Sequence, residues 1–360
     1  MKLTNKNTFL NTYKNLKVLV TGSTGFKGAW LSYWLNNLGA KVTGVSLKPE
    51  KDSILFKSLK LYDLIDQNIL DVRNFNKLNS LIKITKPDII FHLAAQSIVS
   101  KSFDEPLNTI ETNVLGSANI LEIFRVNKIP SLVFITSDKC YLNLGSKKNF
   151  KETDVLGGLD NYSSSKASAE IIFSSYYNSY FKNKKYLNLA SARAGNVIGG
   201  GDMKKNRIVP DIIKSLHLKK KLYLRNPKST RPWQHVLEPL SAYLLLGHSL
   251  LNKKISSNLI PSWNFGPKIS NCKNVEYIKK LVLKNWGQSN INVIKSKNNL
   301  YHESKFLSLD ITKAKDELNW KPRLNLEDTI KLTVQWYKNY FDFKKVDKFT
   351  QDQIQFFLNK

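Results

Sequence analysis

Two residues in the middle of the chain have types and a spacing that could abstract a proton. Tyr162 and Lys166 are four residues apart in a segment, 161–181, that is predicted to be a helix, so their side chains share one helix face. A nearby ammonium favours a phenolate and lowers the pKa of a tyrosine towards neutrality. We therefore predict that Tyr162 takes a proton from a substrate hydroxyl while hydride leaves the same carbon. The alternative is a surface pair on an ordinary helix.

Three further candidates follow a predicted strand at 131–136. Ser137 stands where that strand meets the expected crevice, so its hydroxyl can bridge Tyr162 and a substrate hydroxyl. Asp138 and Lys139 come next. A simple dehydrogenase or epimerase needs no acid–base pair there, whereas a dehydratase must remove one proton and protonate a leaving hydroxide. The pair therefore indicates elimination, and the alternative for Asp138 is a turn or cap residue.

A glycine-rich turn near the start of the chain indicates a dinucleotide site. Gly22, Gly25 and Gly28 lie between a predicted buried strand, 18–21, and an apolar helix pattern that includes Trp30. In this context the first glycine permits a sharp turn, the second lets the backbone approach a pyrophosphate, and the third lets the helix pack on the strand. The helix N-terminus then faces the pyrophosphate. The alternative is a turn that is only structural.

Strands and helices alternate through the first half of the chain. Strands are predicted at 18–21, 41–46, 88–93, 131–136 and 187–194, and helices at about 75–85, 108–125 and 161–181. This order predicts an α/β fold with a parallel, doubly wound sheet. The pattern loosens after Gly195, where glycines and prolines become frequent, and this predicts a smaller C-terminal substrate domain. We expect a Rossmann domain of residues 1–195 plus about 236–268, a substrate domain of about 196–235 plus 269–345, and a tail at 346–360.

Composition excludes several classes of protein. The chain has 360 residues, 42% of them hydrophobic, and two cysteines, which supports a sizeable core and no disulfide framework. Its net charge of +28 comes mainly from lysines spread along the sequence. We interpret this as compositional bias that could steer an anionic substrate, and expect no nucleic-acid partner. No signal peptide or bilayer-spanning stretch is evident, so we expect a cytoplasmic protein without a membrane partner. The histidines lack metal-ligand spacing, and no metal is expected.

Several motifs together carry a resemblance to a known family. They are the glycine turn, His92-Leu-Ala-Ala-Gln96, Tyr162-x-x-x-Lys166, Arg193-Ala-Gly-Asn-Val-Ile-Gly-Gly-Gly-Asp202, Arg231-Pro-Trp-Gln-His-Val-Leu-Glu-Pro-Leu240 and Trp263-Asn-Phe-Gly-Pro267. In these the chain resembles the extended short-chain dehydrogenase/reductase family, and within it the nucleotide-sugar 4,6-dehydratases that act on CDP-glucose. Other members of that group commonly have Thr-Asp-Glu where this chain has Ser137-Asp138-Lys139. The resemblance spans about residues 16–340.

The resemblance implies a reaction and a cofactor. Tyr162, helped by Lys166 and Ser137, would deprotonate the 4-hydroxyl as hydride moves to NAD⁺; a base would take the C5 proton, Asp138 would protonate the departing 6-hydroxyl, and the hydride would return to C6. The product would be CDP-4-dehydro-6-deoxyglucose, a precursor in deoxysugar biosynthesis for polysaccharide or O-antigen. Lys139 would be the base if neutral, or would stabilise an enolate if charged.

The predicted binding residues fall into two sets. For NAD they are Tyr162, Lys166, Gly22, Thr24, Gly25, Phe26, Lys27, Gly28, Asp71, Val72, Leu93, Ala94 and Ala95. For CDP-glucose they are Gln96, Asn196, Arg207, Arg231 and His235, of which Arg231 offers a bidentate fork for a diphosphate, while His235 has a structural role as an equal alternative. No acid occurs in 45–49, after the second strand, where NAD sites usually hold the ribose, so NADP stays a minor possibility.

Two rival functions remain open, and one assembly is expected. A 4-epimerase or decarboxylase on the same fold lacks the Asp138-Lys139 pair. A non-catalytic nucleotide-sensing or RNA-binding protein has no need of Ser137, Tyr162 and Lys166 together. The predicted helices 108–125 and 161–181 carry more apolar residues than one sheet face requires, including Phe173, Tyr176 and Tyr177. We expect these helices to pair across a two-fold axis in a homodimer or homotetramer.

Overall fold

The computed structural model describes residues 5–145, 148–224, 226–256, 260–295, 306–343 and 345–360; the remainder of the predicted domains lies outside these ranges. Strands occur at β1 (Lys17–Thr21), β2 (Lys41–Ser46), β3 (Asp66–Ile69), β4 (Ile89–His92), β5 (Ser131–Ile135), β6 (Leu189–Ala194), β7 (Val197–Ile198), β8 (Leu222–Leu224), β9 (Thr230–Pro232), β10 (Gln234–His235), β11 (Ser262–Phe265), β12 (Cys272–Asn274) and β13 (Val293–Lys295).

The helices are α1 (Phe26–Asn37), α2 (Ile54–Ser58), α3 (Leu61–Leu64), α4 (Phe75–Thr85), α5 (Val99–Asp104), α6 (Pro106–Ile110), α7 (Gly116–Val126), α8 (Asn161–Tyr176), α9 (Ile208–His217), α10 (Leu237–Leu251), α11 (Val275–Trp286), α12 (Thr312–Leu318), α13 (Leu326–Phe343) and α14 (Asp347–Asn359). A 3₁₀ segment, Asn5–Tyr13, precedes β1. Across the described ranges, no helix is both long and apolar enough to cross a bilayer.

Seven strands form a parallel sheet in the order β3-β2-β1-β4-β5-β6-β11. Strands β4, β5 and β6 are buried along their whole length, as expected for a sheet covered by helices on both faces. The strand order reverses between β1 and β4, and such a point opens a crevice at the carboxyl ends of the strands. The predicted α/β, doubly wound fold is confirmed.

The ends of the predicted strands in the first half lie within two residues of the ends of the observed strands. The two long predicted helices match continuous helical runs at 106–126 and 161–181, but each run contains a π-helical turn, at Glu111–Leu115 and at Tyr177–Phe181. The first of these turns includes Asn113, whose side chain is buried and bonds the backbone N–H and C=O of Gln96 and the hydroxyl of Ser165. A π turn often marks a functional position, and here it ties the loop after β4 to helix α8.

The second half is more regular than its prolines predicted. Pro210 and Pro239 lie in the first turns of α9 and α10, where a missing N–H costs nothing. Three two-stranded pairs, β7 with β10, β9 with β12 and β8 with β13, stand outside the central sheet. Helix α14 covers the predicted tail, and its Phe357 packs edge-to-face on Trp34 of α1.

The apolar residues that we expected on a helix-pairing surface are not exposed. Phe173 and Tyr177 are buried, Phe173 against Phe134 of β5, and Tyr176 is half-buried. That part of the prediction is wrong, because Phe173 packs on the sheet and Tyr177 is buried as well. Other apolar side chains of the same two helices do face outwards: Leu107, Ile110, Leu115, Ile171 and Tyr180.

A buried ion pair joins helix α8 to the sheet beneath the crevice. Arg193 of β6 bonds Glu170 of α8 at 2.7 Å, and the side chains are 4% and 0% exposed. Glu170 also accepts hydrogen bonds from Thr136, which follows β5, and from Ser191. Arg193 continues to the hydroxyl of Tyr141 at 2.8 Å. Through these bonds one charge pair connects α8, β6 and both ends of the segment that carries residues 137–139.

We expect Arg193→Met to lower the free energy of unfolding by about 3–5 kcal/mol, because it leaves the Glu170 carboxylate buried without its partner. The matched control is Arg125→Met, which removes the partner of Glu122 at the surface and should lower the free energy of unfolding far less, because exposed ion pairs contribute little stability. Urea denaturation of both variants measures the difference. Similar losses in the two variants would contradict this account of the buried pair.

Candidate active site in the cleft at the carboxyl edge of the sheet

A cleft of about 590 Å³ opens at the carboxyl ends of the central strands. It is lined by almost all of the residues predicted from the sequence: Gly22, Thr24, Gly25, Phe26, Lys27, Gly28, Asp71, Val72, Leu93, Ala94, Ala95, Gln96, Ser137, Asp138, Lys139, Tyr162, Asn196, Arg207 and Arg231. Lys166 and His235 are the exceptions. The fold thus brings segments from both halves of the chain to one place.

The glycine turn brings backbone segments so close together that no side chain fits at Gly22 or Gly28. Gly22 has φ +74°, and a Cβ there would meet the backbone nitrogen of Ala94 at 2.9 Å. A Cβ on Gly28 would lie 2.1 Å from the carbonyl oxygen of Gly22. Helix α1 begins directly after Gly25 with no side-chain cap, so its first N–H groups are free to bind an anion. These features fit the pyrophosphate of a dinucleotide.

A buried histidine helps to fix the loop that faces this turn. Nδ1 of His92, at the end of β4, lies 2.8 Å from the hydroxyl of Thr21, at the end of β1. The same hydroxyl oxygen accepts the N–H groups of Leu93 and Ala94, both at 3.1 Å. Burial lowers the pKa of His92 to about 3, so the ring is neutral and acts as a fixed hydrogen-bonding group. The 93–95 loop is thereby fixed beside Gly22.

The predicted catalytic hydroxyls and carboxyl lie together. Ser137 caps the short 3₁₀ turn Asp138–Cys140, and its hydroxyl donates to Oδ1 of Asp138 at 3.0 Å. A side-chain hydrogen bond with Ser137 also lowers the pKa of the Tyr162 phenol. Tyr162 stands in the first turn of α8, which Asp160 caps by accepting the N–H of Ser163. Lys139 is half-buried and lines the same cleft.

The predicted lowering of the tyrosine pKa is not what the structure shows. Burial raises the pKa of Tyr162 to about 12, and the Asp138 charge adds to the effect, while Ser137 and Arg207 oppose it. Removing a phenolate from water costs more than these neighbours return. Burial also lowers the pKa of Lys166 to about 8, although Glu170 favours its charge. In the protein alone, the phenol is therefore protonated.

Asp138 is buried in a way that suits a proton donor. Burial raises the pKa of its carboxyl, against the opposing charges of Lys139, Arg231 and Lys27 and the hydrogen bond from Ser137. Among the described residues, its Oδ2 atom has no hydrogen-bond partner. Asp138 packs directly on the backbone of Gly195, where a Cβ would come within 1.7 Å of Oδ2. This close approach requires glycine and keeps the carboxyl out of bulk water.

Lys27 lines the cleft and is, after Lys166, a second lysine whose pKa is lowered. Burial lowers its pKa to about 8, and the positive charges of Lys166 and Arg207 lower it further, while Asp138 raises it. Its Nζ lies 5.8 Å from the ring centre of Tyr243. The predicted cofactor-binding Lys27 is therefore also a neighbour of Asp138.

Of the predicted substrate residues, the cations are held in place by the protein. Arg207 bonds Asp202 at 2.7 Å and the hydroxyl of Ser97 at 3.0 Å, and so bridges the two sides of the cleft. Arg231 is buried and donates to the carbonyl oxygen of Thr230. Both side chains line the cleft and can face an anionic group there.

Asn196 and Gln96 also line the cleft. Asn196 has φ +43°, a left-handed conformation that asparagine tolerates better than most residues. Gln96 uses its amide within the protein: it donates to Thr109 and to the carbonyl oxygen of Ile98, and it accepts the N–H of Ile98. Its side chain therefore shapes the loop 96–98.

The structure does not place His235 at the cleft. Its ring is fully buried, lies edge-on to Trp30 at 6.2 Å, and accepts the N–H of Leu237 at 3.3 Å through Nδ1. Burial lowers its pKa to about 3. The prediction of a substrate contact is thus corrected to the structural alternative, because β10 turns this side chain towards α1.

Glu50 is an acidic residue of the cleft that was not predicted from the sequence. It lies four residues beyond the end of β2 and lines the cleft, directly after the segment 45–49 in which no acid occurs. Its carboxylate is paired with Lys204, which also lies 3.2 Å from Asp52. In the sequence, the acidic residue directly after Pro49 could have indicated this position. No group of histidine, cysteine and acidic side chains that could hold a metal occurs in the part of the chain that the structure describes.

Comparison with known proteins agrees with this arrangement. A family model described as GDP-mannose 4,6 dehydratase matches residues 19–333. The CDP-glucose 4,6-dehydratase of Salmonella typhimurium is 42% identical over 333 residues, which cover 91% of this chain and 92% of that protein. The UDP-glucuronate 4-epimerase of Thermodesulfobacterium geofontis is 25% identical over 91% of this chain and 98% of its own. The solved dTDP-glucose 4,6-dehydratase of Bacillus anthracis, in complex with NAD, has a TM-score of 0.74 at 25% identity over 90% of this chain and 97% of that chain.

The buried carboxyl of Asp138 predicts a pH-dependent cost in stability. Its pKa is raised in the folded protein, so folding favours the protonated form, and this contribution is lost as the pH rises from the unfolded to the folded pKa. Asp138→Asn cannot ionise, so its stability relative to wild type should increase between pH 4 and pH 8. Guanidinium denaturation of both proteins across that range measures the difference. A constant difference would contradict a raised pKa.

Proposed function

The chain belongs to the GDP-mannose 4,6-dehydratase family, and on that premise we propose that it is a CDP-glucose 4,6-dehydratase that uses NAD. The observation that carries the proposal is the position of Asp138 and Lys139 beside Ser137 and Tyr162 in one cleft. The acid–base pair fits elimination, and the phenol and hydroxyl fit oxidation of a carbinol. The CDP-glucose 4,6-dehydratase that is 42% identical to this chain over 333 residues supports CDP-glucose as the sugar nucleotide.

The residues around the glycine turn fit NAD. Gly22, Gly25 and the first turn of α1 would hold the pyrophosphate, while Asp71 and Val72 would flank the adenine. When bound there, NAD⁺ would supply a hydride acceptor for C4, and its reduced form a hydride donor for C6. Glu50, opposite Lys204, offers the acid for the ribose that the sequence alone did not reveal.

The protein's own groups would carry the proton transfers. Tyr162 would take the proton of the 4-hydroxyl once its own phenol is ionised, with the Ser137 hydroxyl in the same cleft. The 4-ketone acidifies C5, and Lys139 is placed to take that proton or, as an ammonium, to balance the enolate. Asp138, whose carboxyl pKa is raised by burial, would give its proton to the departing 6-hydroxyl. Arg207 and Arg231 would neutralise the diphosphate.

The two rival functions account for less of the site. A 4-epimerase needs only the oxidation groups, Tyr162 and Ser137, and would leave unexplained a buried Asp138 carboxyl whose Oδ2 has no hydrogen-bond partner among the described residues. A nucleotide-sensing or RNA-binding protein would not require the costly burial of Asp138, Tyr162 and Lys166 together.

We also retain several proposals that concern the protein's context. They are the Rossmann domain of 1–195 plus about 236–268, the substrate domain of about 196–235 plus 269–345, a cytoplasmic location, and a role in deoxysugar biosynthesis for polysaccharide. The exposed apolar residues of α6, α8 and the turns beside them support assembly into a homodimer or homotetramer, since such a surface is stabilised by self-association.

Side-by-side turnover tests the proposed substrate. We expect the protein to convert CDP-glucose with clearly higher kcat/KM than dTDP-glucose, UDP-glucose or GDP-mannose. NMR of the product should show a 4-keto-6-deoxy sugar and one water released per sugar. Higher efficiency with dTDP-glucose would overturn the CDP assignment but not the dehydratase, whereas a 4-epimer as product would overturn the dehydratase.

Replacing the phenol tests the oxidation step. Tyr162→Phe removes the hydroxyl with little change in volume, and turnover should fall about 10²- to 10⁴-fold, while calorimetry should show that CDP-glucose still binds. Tyr62→Phe is the matched control, since Tyr62 is exposed on α3 and should behave as wild type. A Tyr162→Phe protein within a few fold of wild type would exclude this residue as the base.

Light scattering tests the proposed assembly. The protein at micromolar concentration should have at least the mass of a dimer. Leu107→Lys combined with Ile171→Lys should shift it towards monomer, because both side chains are exposed on the proposed surface. Ile84→Lys, on α4 and 79% exposed, is the control and should leave the mass unchanged. A wild-type monomer would refute the proposal.

A further inference from the structure

A short segment before α9 connects the two walls of the cleft. It consists of the residues from Lys204 to Arg207, which we call the strap. At one end, Lys204 pairs with Glu50 and lies 3.2 Å from a carboxylate oxygen of Asp52, both in the segment after β2. At the other end, Arg207 bonds the hydroxyl of Ser97 at 3.0 Å, in the loop after β4. The strap thus contacts the half of the chain that carries β1 to β5 at two separate loops.

The glycine turn lies between these two loops. In the central sheet, β1 stands between β2 and β4, and the turn that contains Gly22 and Gly25 follows β1 directly. Neighbouring strands are about 4.8 Å apart, so β2 and β4 are separated by about 10 Å. An extended chain advances about 3.3 Å per residue, so the backbone from Lys204 to Arg207 reaches about 10 Å. The strap therefore has the length to cross above the glycine turn, and its two end residues line the same cleft.

The chain that leads into the strap is fixed, whereas the strap's own contacts are partly exposed to water. The carbonyl oxygen of Gly200 accepts the indole N–H of Trp30 at 2.9 Å, and the carbonyl oxygen of Asp202 accepts the hydroxyl of Tyr337. Both donors are buried. By contrast, the side chain of Lys204 is 32% exposed, and that of its closer carboxylate partner is 66% exposed. Exposed ion pairs contribute little stability each, so the strap can separate from the loop after β2 while the segment before it stays in place.

We infer that the strap retains NAD in the cleft between turnovers, and that NAD enters and leaves only when Lys204 separates from Glu50 and Asp52. A dinucleotide whose pyrophosphate sits on the glycine turn would lie beneath the strap. The inference rests on the proposed function, in which the hydride taken at C4 is returned at C6, so that the cofactor ends each turnover as it began. Such a reaction needs no exchange of cofactor, and a closed strap does not slow it.

Two substitutions loosen the strap from its two sides. Lys204→Met removes the charge of the side chain with little change in its length, and Asp52→Asn weakens the same contact from a residue that is not among the described residues lining the cleft. The first removes a positive charge and the second a negative one, so a general attraction or repulsion of the anionic cofactor would change its association in opposite directions. The matched controls are Lys205→Met and Asp63→Asn, whose side chains are exposed.

Stopped-flow fluorescence of NADH measures both rates of exchange. Mixing NADH with the protein freed of cofactor gives the association rate constant, and displacing NADH from the loaded protein with excess NAD⁺ gives the dissociation rate constant. Because a gate limits entry and exit alike, both constants should rise about three- to tenfold in each strap variant, as expected when partly exposed ion pairs are lost. The Kd for NADH should stay within about twofold of wild type. Both controls should match wild type.

A different pattern of rates would overturn the strap. If Lys204 instead contacts NAD directly, Lys204→Met raises the dissociation rate alone and Asp52→Asn leaves both rates unchanged. Unchanged rates in both variants, opposite changes in their association rates, or equal changes in the controls would also overturn it. The wild-type protein tests the proposed function separately. If it binds NADH but forms no 4-keto-6-deoxy product from CDP-glucose, that function fails and the exchange rates still decide the strap; if it binds no NADH, both fail.

Discussion

The buried pair between Glu170 and Arg193 holds the geometry of the whole site. Its carboxylate and guanidinium are both removed from water, so each depends on the other and on the hydroxyls of Thr136, Ser191 and Tyr141 for its polar contacts. Those partners lie on β6 and on the segment after β5. Moving any of them would leave a buried charge without a polar partner, so the pair fixes the segment of residues 137–139 relative to helix α8.

Burial, more than any neighbouring charge, decides the protonation of the site. It raises the pKa of Tyr162 and Asp138 and lowers that of Lys166 and Lys27, so every one of these groups is shifted towards its neutral form. A protonated carboxyl suits a leaving hydroxide. A protonated phenol does not suit a base, so the proposed oxidation requires that Tyr162 first lose its proton.

Polar contacts between distant parts of the chain join the two walls of the cleft. Lys204 reaches Glu50, Asn206 bonds Ser100 at 3.1 Å, and Arg207 bonds Ser97. These contacts join the segment before α9 to the loop after β2, to the loop after β4 and to helix α5. They are partly exposed, and exposed pairs contribute little stability each, so they position the two walls of the cleft with little energy opposing a ligand that displaces them.

Local patterns in the sequence were enough to predict the sheet, its order of strands and helices, and most of the cleft. Glycine spacing, a Tyr-x-x-x-Lys turn and a Ser-Asp-Lys strand end each depend on neighbours within a few residues. Tertiary structure alone decided which side chains became buried: it turned His235 away from the cleft, covered Phe173, paired Glu50 with Lys204, and raised the pKa of Tyr162. Burial and long-range pairing depend on segments far apart in the chain, and no short window of sequence contains them.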